Sequence, residues 1–115
     1  MKQFFLVGAL SIVALSTSCR KGKTPSLIDV NCEDTVSFQT EIFPLITNQC
    51  ISCHDVGNST GYTFTNHTNI SSNASNMLNA MRAQGGMQLM PQGGALDEAE
   101  IQKFSCWISQ GKLNN

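Results

Sequence analysis

The sequence predicts a small all-α domain of three to four helices. Three observations lead there. Apolar residues recur at helical spacing in three separate stretches, a capping box stands in front of the last stretch, and strands alternating with helices are not evident in the pattern. A chain of 115 residues is one domain's worth. Its expected division is a lipoprotein signal peptide over 1–18, a flexible tether over 19–30 and the helical domain over 31–115.

The first element is an address. Lys2 is followed by an apolar run from Phe4 to Leu15, broken only by Gly8 and Ser11. That is the length of a signal-peptide core and too short for a comfortable membrane span. Leu15-Ser16-Thr17-Ser18 then leads into Cys19, a pattern similar to a bacterial lipobox, in which the cysteine sulfur receives lipid and becomes the mature N-terminus. Several acyl chains would anchor it durably, since each buried methylene contributes roughly 0.8 kcal/mol. A lipobox usually has an aliphatic residue three positions before the cysteine, and Ser16 stands there; an ordinary cleaved signal peptide is the other reading. The Arg20-to-Ser26 stretch has no apolar period and is expected to be the tether.

The helices follow in order. Ser37 or Thr40 would cap a first helix reaching about Gln49, with Ile42, Phe43 and Ile46 inward; Pro44, cheap only in a first turn, favours Thr40. From Asp55 to about Ile70 the chain is polar and turn-rich, with Tyr62 and Phe64 alternating with threonines in a short extended segment. A second helix is expected from about Ser72 to Ala83, where Met77 and Met81 share an apolar pattern with Ile70, Ala74 and Leu78. The third has Asp97 and Glu100 as a capping box, Ile101, Phe104 and Ile108 as a stripe joined by Trp107, and Gly111 as its stop. Apolar content is thin for so small a domain.

Charge excludes one class of partner. Only 13% of residues are charged and the net charge is −1, so nothing points to nucleic acid. The four Asn-x-Ser/Thr sequons at Asn58, Asn66, Asn69 and Asn73 are frequent by chance in Asn/Ser/Thr-rich sequence.

The five cysteines carry most of the information. With Cys19 assigned to lipid, Cys50-Ile51-Ser52-Cys53-His54 forms a C-x-x-C-H string, the attachment signature of c-type haem. Thiols three positions apart sit on adjacent faces of a helical turn and reach the two vinyl groups on one porphyrin edge. The next residue then offers its imidazole to the iron, so His54 is the proximal ligand candidate. The same string has other readings: a thioredoxin-like redox pair, which wants an α/β context; half a zinc site, whose partner pair is missing; or coincidence. Cys32 and Cys106 remain. In an exported protein they are expected to pair, closing a loop of about 75 residues and contributing roughly 4 kcal/mol, the alternative being two unpaired buried thiols.

A six-coordinate haem iron needs a ligand on its other face. Met87 and Met90 lie between Gly85-Gly86 and Gly93-Gly94, and Pro91 follows Met90. Proline fixes its own φ and biases the residue before it away from helix, so Met90 can be held extended toward the iron. Met90 is the first choice; Met87 and His67 are the alternatives, His67 being expected as an ordinary loop histidine. Thioether ligation would raise the reduction potential over a bis-histidine iron.

Taken together, Val36-Ser37-Phe38, Glu41-Ile42-Phe43-Pro44-Leu45-Ile46, the C-x-x-C-H string, Met90-Pro91-Gln92-Gly93-Gly94, Ile101 and Trp107-Ile108-Ser109-Gln110-Gly111 resemble small class I c-type cytochromes of exported bacterial lipoproteins. The resemblance spans roughly residues 36 to 111. It implies a cytochrome c-like domain wrapped round one covalent haem c, with thioethers on Cys50 and Cys53 and iron ligands His54 and Met90. It also implies crossing first and last helices, which would bring Cys32 and Cys106 into range. The expected function is electron transfer, not enzymatic turnover, by a monomer that meets redox protein partners in the periplasm or at the cell surface. Alternatives are a haem-based small-gas sensor, an accessory haem subunit of a larger enzyme, and a disulfide-stapled non-haem surface lipoprotein. If haem completes the core, the haem-free domain should be largely unfolded or molten, and sharp near-UV circular dichroism from it would count against this.

Overall fold

The computed structural model describes residues 31–115. The expected signal peptide, tether and lipid site at Cys19 lie outside the described residues. Among the described residues the secondary structure is helical, without strands: a π-helical turn Phe38–Ile42 running into α1 Phe43–Gln49, then α2 His67–Met81 and α3 Glu98–Ser109.

The first helix starts earlier than expected. Ser37 Oγ accepts the Thr40 N–H, and Glu41 Oε2 accepts the Ser37 N–H at 2.9 Å, so the cap is Ser37. Pro44 is accommodated by widening the turn before it. Ile42 N–H donates to Ser37 O and Phe43 N–H to Phe38 O, each five residues back. Pro44 then lies in the first turn of regular α-helix, where its missing N–H costs nothing. Two donors at the front of this element are satisfied from the far end of the chain: Phe38 N–H donates to Asn115 Oδ1 at 2.8 Å and Gln39 N–H to Asn115 O at 2.9 Å. Phe38, Ile42, Leu45 and Ile46 are buried, while Phe43 is only half-buried against the core.

Helix α2 begins at His67, five residues before the expected Ser72, and ends at Met81. Its cap is Asn66, whose Oδ1 accepts the Asn69 N–H at 2.9 Å. Ile70, Ala74, Met77 and Met81 form one buried stripe, so both methionines pack in the core as expected. Helix α3 follows the sequence closely. Asp97 and Glu100 form the capping box, and Ile101, Phe104, Cys106 and Trp107 are buried. Its end is a Schellman motif, with Lys112 N–H on Trp107 O at 2.9 Å and Gly111 N–H on Ile108 O at 3.1 Å. Gly111 has φ +94°, a backbone region that a Cβ makes costly.

The core sits where α3 packs against both α2 and the π-helical turn. Trp107 is fully buried, its ring centroid 5.6 Å from Phe38 and 5.5 Å from Phe104, and its Nε1–H donates to Leu113 O at 2.8 Å. On the rim, Lys103 Nζ meets Glu41 Oε1 at 2.9 Å. The segment before the first helix is held to α3 in two ways. Cys32 and Cys106 form a disulfide, and the Gln110 carboxamide accepts the Val36 N–H and donates to Asp34 O. The pairing expected from the cysteine count is therefore present.

Candidate functional site

Helix α1 ends on the motif. Cys50 is its C-cap, with its N–H on Ile46 O at 2.9 Å. The chain then makes one more helical turn: Cys53 N–H and His54 N–H both donate to Cys50 O, at 3.2 and 2.9 Å. The two thiols and the imidazole thus follow one another round a single turn, as the spacing requires. Cys50 and Cys53 are both free, the first half-buried and the second exposed. Burial pushes the Cys50 thiol up to about 11. A thioredoxin-like pair needs the opposite, a depressed thiol that attacks as thiolate.

His54 is fixed by the loop that follows it. Its Nδ1 lies 3.1 Å from Tyr62 O and 3.0 Å from Thr60 Oγ1. A carbonyl only accepts, so Nδ1 carries the hydrogen and Nε2 is left as an acceptor with a free lone pair. That is the tautomer a metal-ligating histidine uses, with its other nitrogen held by a carbonyl. The ring packs at 4.7 Å from Phe64, which is buried and whose N–H donates to His54 O at 2.9 Å. Gly57 and Gly61, both at φ +81°, bend the loop so that residue 62 returns to residue 54. Residues 62 to 64 have no regular secondary structure, and Tyr62 is exposed.

Met90 lies on the loop after α2, half-buried, with its N–H on Ala80 O at 3.0 Å. The loop runs against the end of α1: Gln49, the residue before Cys50, and Pro91, the residue after Met90, line one open groove of about 390 Å³ together with Leu96. The fold therefore brings Pro91 to Gln49, the last residue of α1 before the C-x-x-C-H string. Met87 is half-buried on the same loop, its N–H on Gln84 O. His67 is not the loop histidine expected. It opens α2, its Nε2 bonds Lys112 O at 2.8 Å, and its ring stands edge-on to Phe38 and Trp107. It ties α2 to the chain beyond α3.

The residues present fit a c-type haem. Two free thiols and a tautomer-fixed imidazole occupy one turn, and a methionine is placed on the adjoining loop. Val56, Tyr62 and Leu89, flanking these two segments, leave 78, 43 and 37% of their surface uncovered. Uncovered apolar side chains of this kind would be available to an apolar macrocycle held by these segments. No three His, Cys, Asp or Glu side chains converge among the described residues as a site for a bare ion, whereas a haem iron asks for only one protein ligand on each face. Sequence reasoning did not find Asn58 and Thr60. Their signal was present in the bracketing glycines, but a turn does not announce which carbonyl it will aim.

No protein-family model matches the chain, and comparison with curated proteins and with solved structures finds no relative.

Proposed function

We propose that this chain is a monohaem c-type cytochrome that carries single electrons between protein partners outside the cytoplasm. The observation that carries the reading is the His54 imidazole. Its Nδ1–H is held by the Tyr62 carbonyl and the Thr60 hydroxyl and its Nε2 is left free, on the same turn as two unpaired thiols. Bound haem would supply a ferric/ferrous one-electron couple. Cys50 and Cys53 supply the thiols for its attachment, His54 the proximal nitrogen and Met90 the distal thioether. A methionine ligand favours the reduced iron, which suits a carrier and leaves no open position for a substrate.

The small-gas sensor reading is weaker because it wants a polar donor over the iron, and the Nε2 of His67 is already spent on Lys112. The non-haem lipoprotein reading accounts for the disulfide but gives Cys50, Cys53 and His54 no role. With Cys19 lipidated, residues 20–30 would tether the domain to a bacterial membrane, in the periplasm or at the cell surface. No helix among the described residues is long and apolar enough to cross a membrane. The test is the intact mass of chain produced beside haem-maturation machinery. One covalent haem is expected under denaturing conditions, and none in the Cys50→Ala/Cys53→Ala double variant. A parent mass without haem would overturn the proposal.

A further inference from the structure

We propose that Thr60 is a positioning residue for His54, and that its hydroxyl sets how strongly the imidazole donates through Nε2. This rests on the reading of His54 as an iron ligand. The argument is a count of hydrogen-bonding capacity. A threonine hydroxyl has one hydrogen to give and two lone pairs. Asn58 Oδ1 takes the hydrogen in a short contact. The Tyr62 N–H fills one lone pair at 3.2 Å, and the His54 Nδ1–H fills the other at 3.0 Å. Thr60 Oγ1 also lies 3.2 Å from Tyr62 O, a second acceptor for the same hydrogen, so in either orientation the hydroxyl gives its hydrogen away from His54 and keeps a lone pair for the Nδ1–H.

Asn58 closes the ring. Its Oδ1 also accepts the Thr60 N–H at 2.8 Å, and its Nδ2 donates to Asp55 O, to Tyr62 O at 2.9 Å and to Thr63 Oγ1 at 3.3 Å. The Tyr62 carbonyl thus faces three donors, Asn58 Nδ2, His54 Nδ1 and the Thr60 hydroxyl, which weakens its pull on each. Thr60 makes up the difference as the second acceptor for Nδ1–H. A proton shared between two acceptors gives the ring more imidazolate character, and a more basic Nε2 favours the oxidised iron. Orientation and donor strength would therefore come from a side-chain network peculiar to residues 55–63.

The test compares the haem-loaded protein with Thr60→Val and Thr60→Ser. Thr60 is exposed and valine is near its shape, so folding should be preserved, with helical circular dichroism as the control. In Thr60→Val the reduction potential should shift upward and the His54 Nδ1–H should exchange with solvent faster by NMR. Thr60→Ser, which keeps the hydroxyl, should restore both toward the parent. A haem-bearing Thr60→Val with parental potential and exchange, or a serine variant that shifts as far as valine, would overturn this inference alone. A parent chain that takes up no haem would overturn it together with the reading beneath it.

Discussion

At the scale of single residues, the candidate site and the fold rest on different polar groups. The Thr60 hydroxyl and the Tyr62 carbonyl hold His54, with Asn58 bonded to both of them. Glu41 serves the fold: it accepts the Ser37 N–H and pairs with Lys103, and these two contacts, in that order, hold its carboxyl below the usual range. A carboxyl with a depressed folded value stabilises fully above its unfolded value, near 4.3. That contribution disappears as pH falls through the lower folded value. Denaturation between neutral and acid pH should therefore show a steeper loss for the parent than for Glu41→Gln, measured by urea midpoints. The pair is half in solvent, so the difference should stay below about 1 kcal/mol. Equal acid sensitivity in both would mean that Glu41 is not a linked group. The C-x-x-C-H string and the Met90-Pro91 pair stand out in the sequence because each is a short local pattern. The role of His67 does not, because its partners Phe38, Trp107 and Lys112 come from three other parts of the chain.

At the scale of elements, legibility followed how local the determinants were. Helix α3 carries its start, stripe and stop within 15 residues, and it formed where Asp97, Glu100 and Gly111 placed it. Helix α2 was placed too late because Asn66 to Ser71 look like loop by composition. The Asn66 cap and burial of Ile70 in the core outweigh their weak helix preference. The first helix started at Ser37 because a π-helical turn absorbs Pro44, and no propensity rule foresees a widened turn. These capping claims have a direct check. Asp97→Ala removes the cap of α3 and should cost about 1 kcal/mol in chemical denaturation. A variant as stable as the parent would show that α3 is held by packing alone.

At the scale of the whole molecule, the two ends of the domain are joined, and the centre presents the site. The disulfide, the Gln110 clamp and the Asn115 contacts all tie the region before α1 to α3 and the residues after it. The C-x-x-C-H turn and the Met90 loop lie in between, on segments free of that clasp. The Cys32–Cys106 bond closes 74 residues of chain and should contribute about 4 kcal/mol by restricting the unfolded state. Cys32→Ser/Cys106→Ser should lower the denaturation midpoint accordingly while leaving haem attachment intact. Loss of attachment in that variant, with the fold retained, would mean that the clasp also shapes the site.

The central proposal is one haem attached through Cys50 and Cys53, its iron held by His54 and Met90. The most direct test is a pair of absorption spectra, oxidised and dithionite-reduced, of the parent and of Met90→Ala produced with haem-maturation machinery. The parent should show sharp reduced c-type bands and, when oxidised, the weak far-red band of a thioether-to-ferric-iron bond. Met90→Ala should keep the haem and lose that band. A parent with no haem, or an oxidised band that survives in Met90→Ala, would contradict the account.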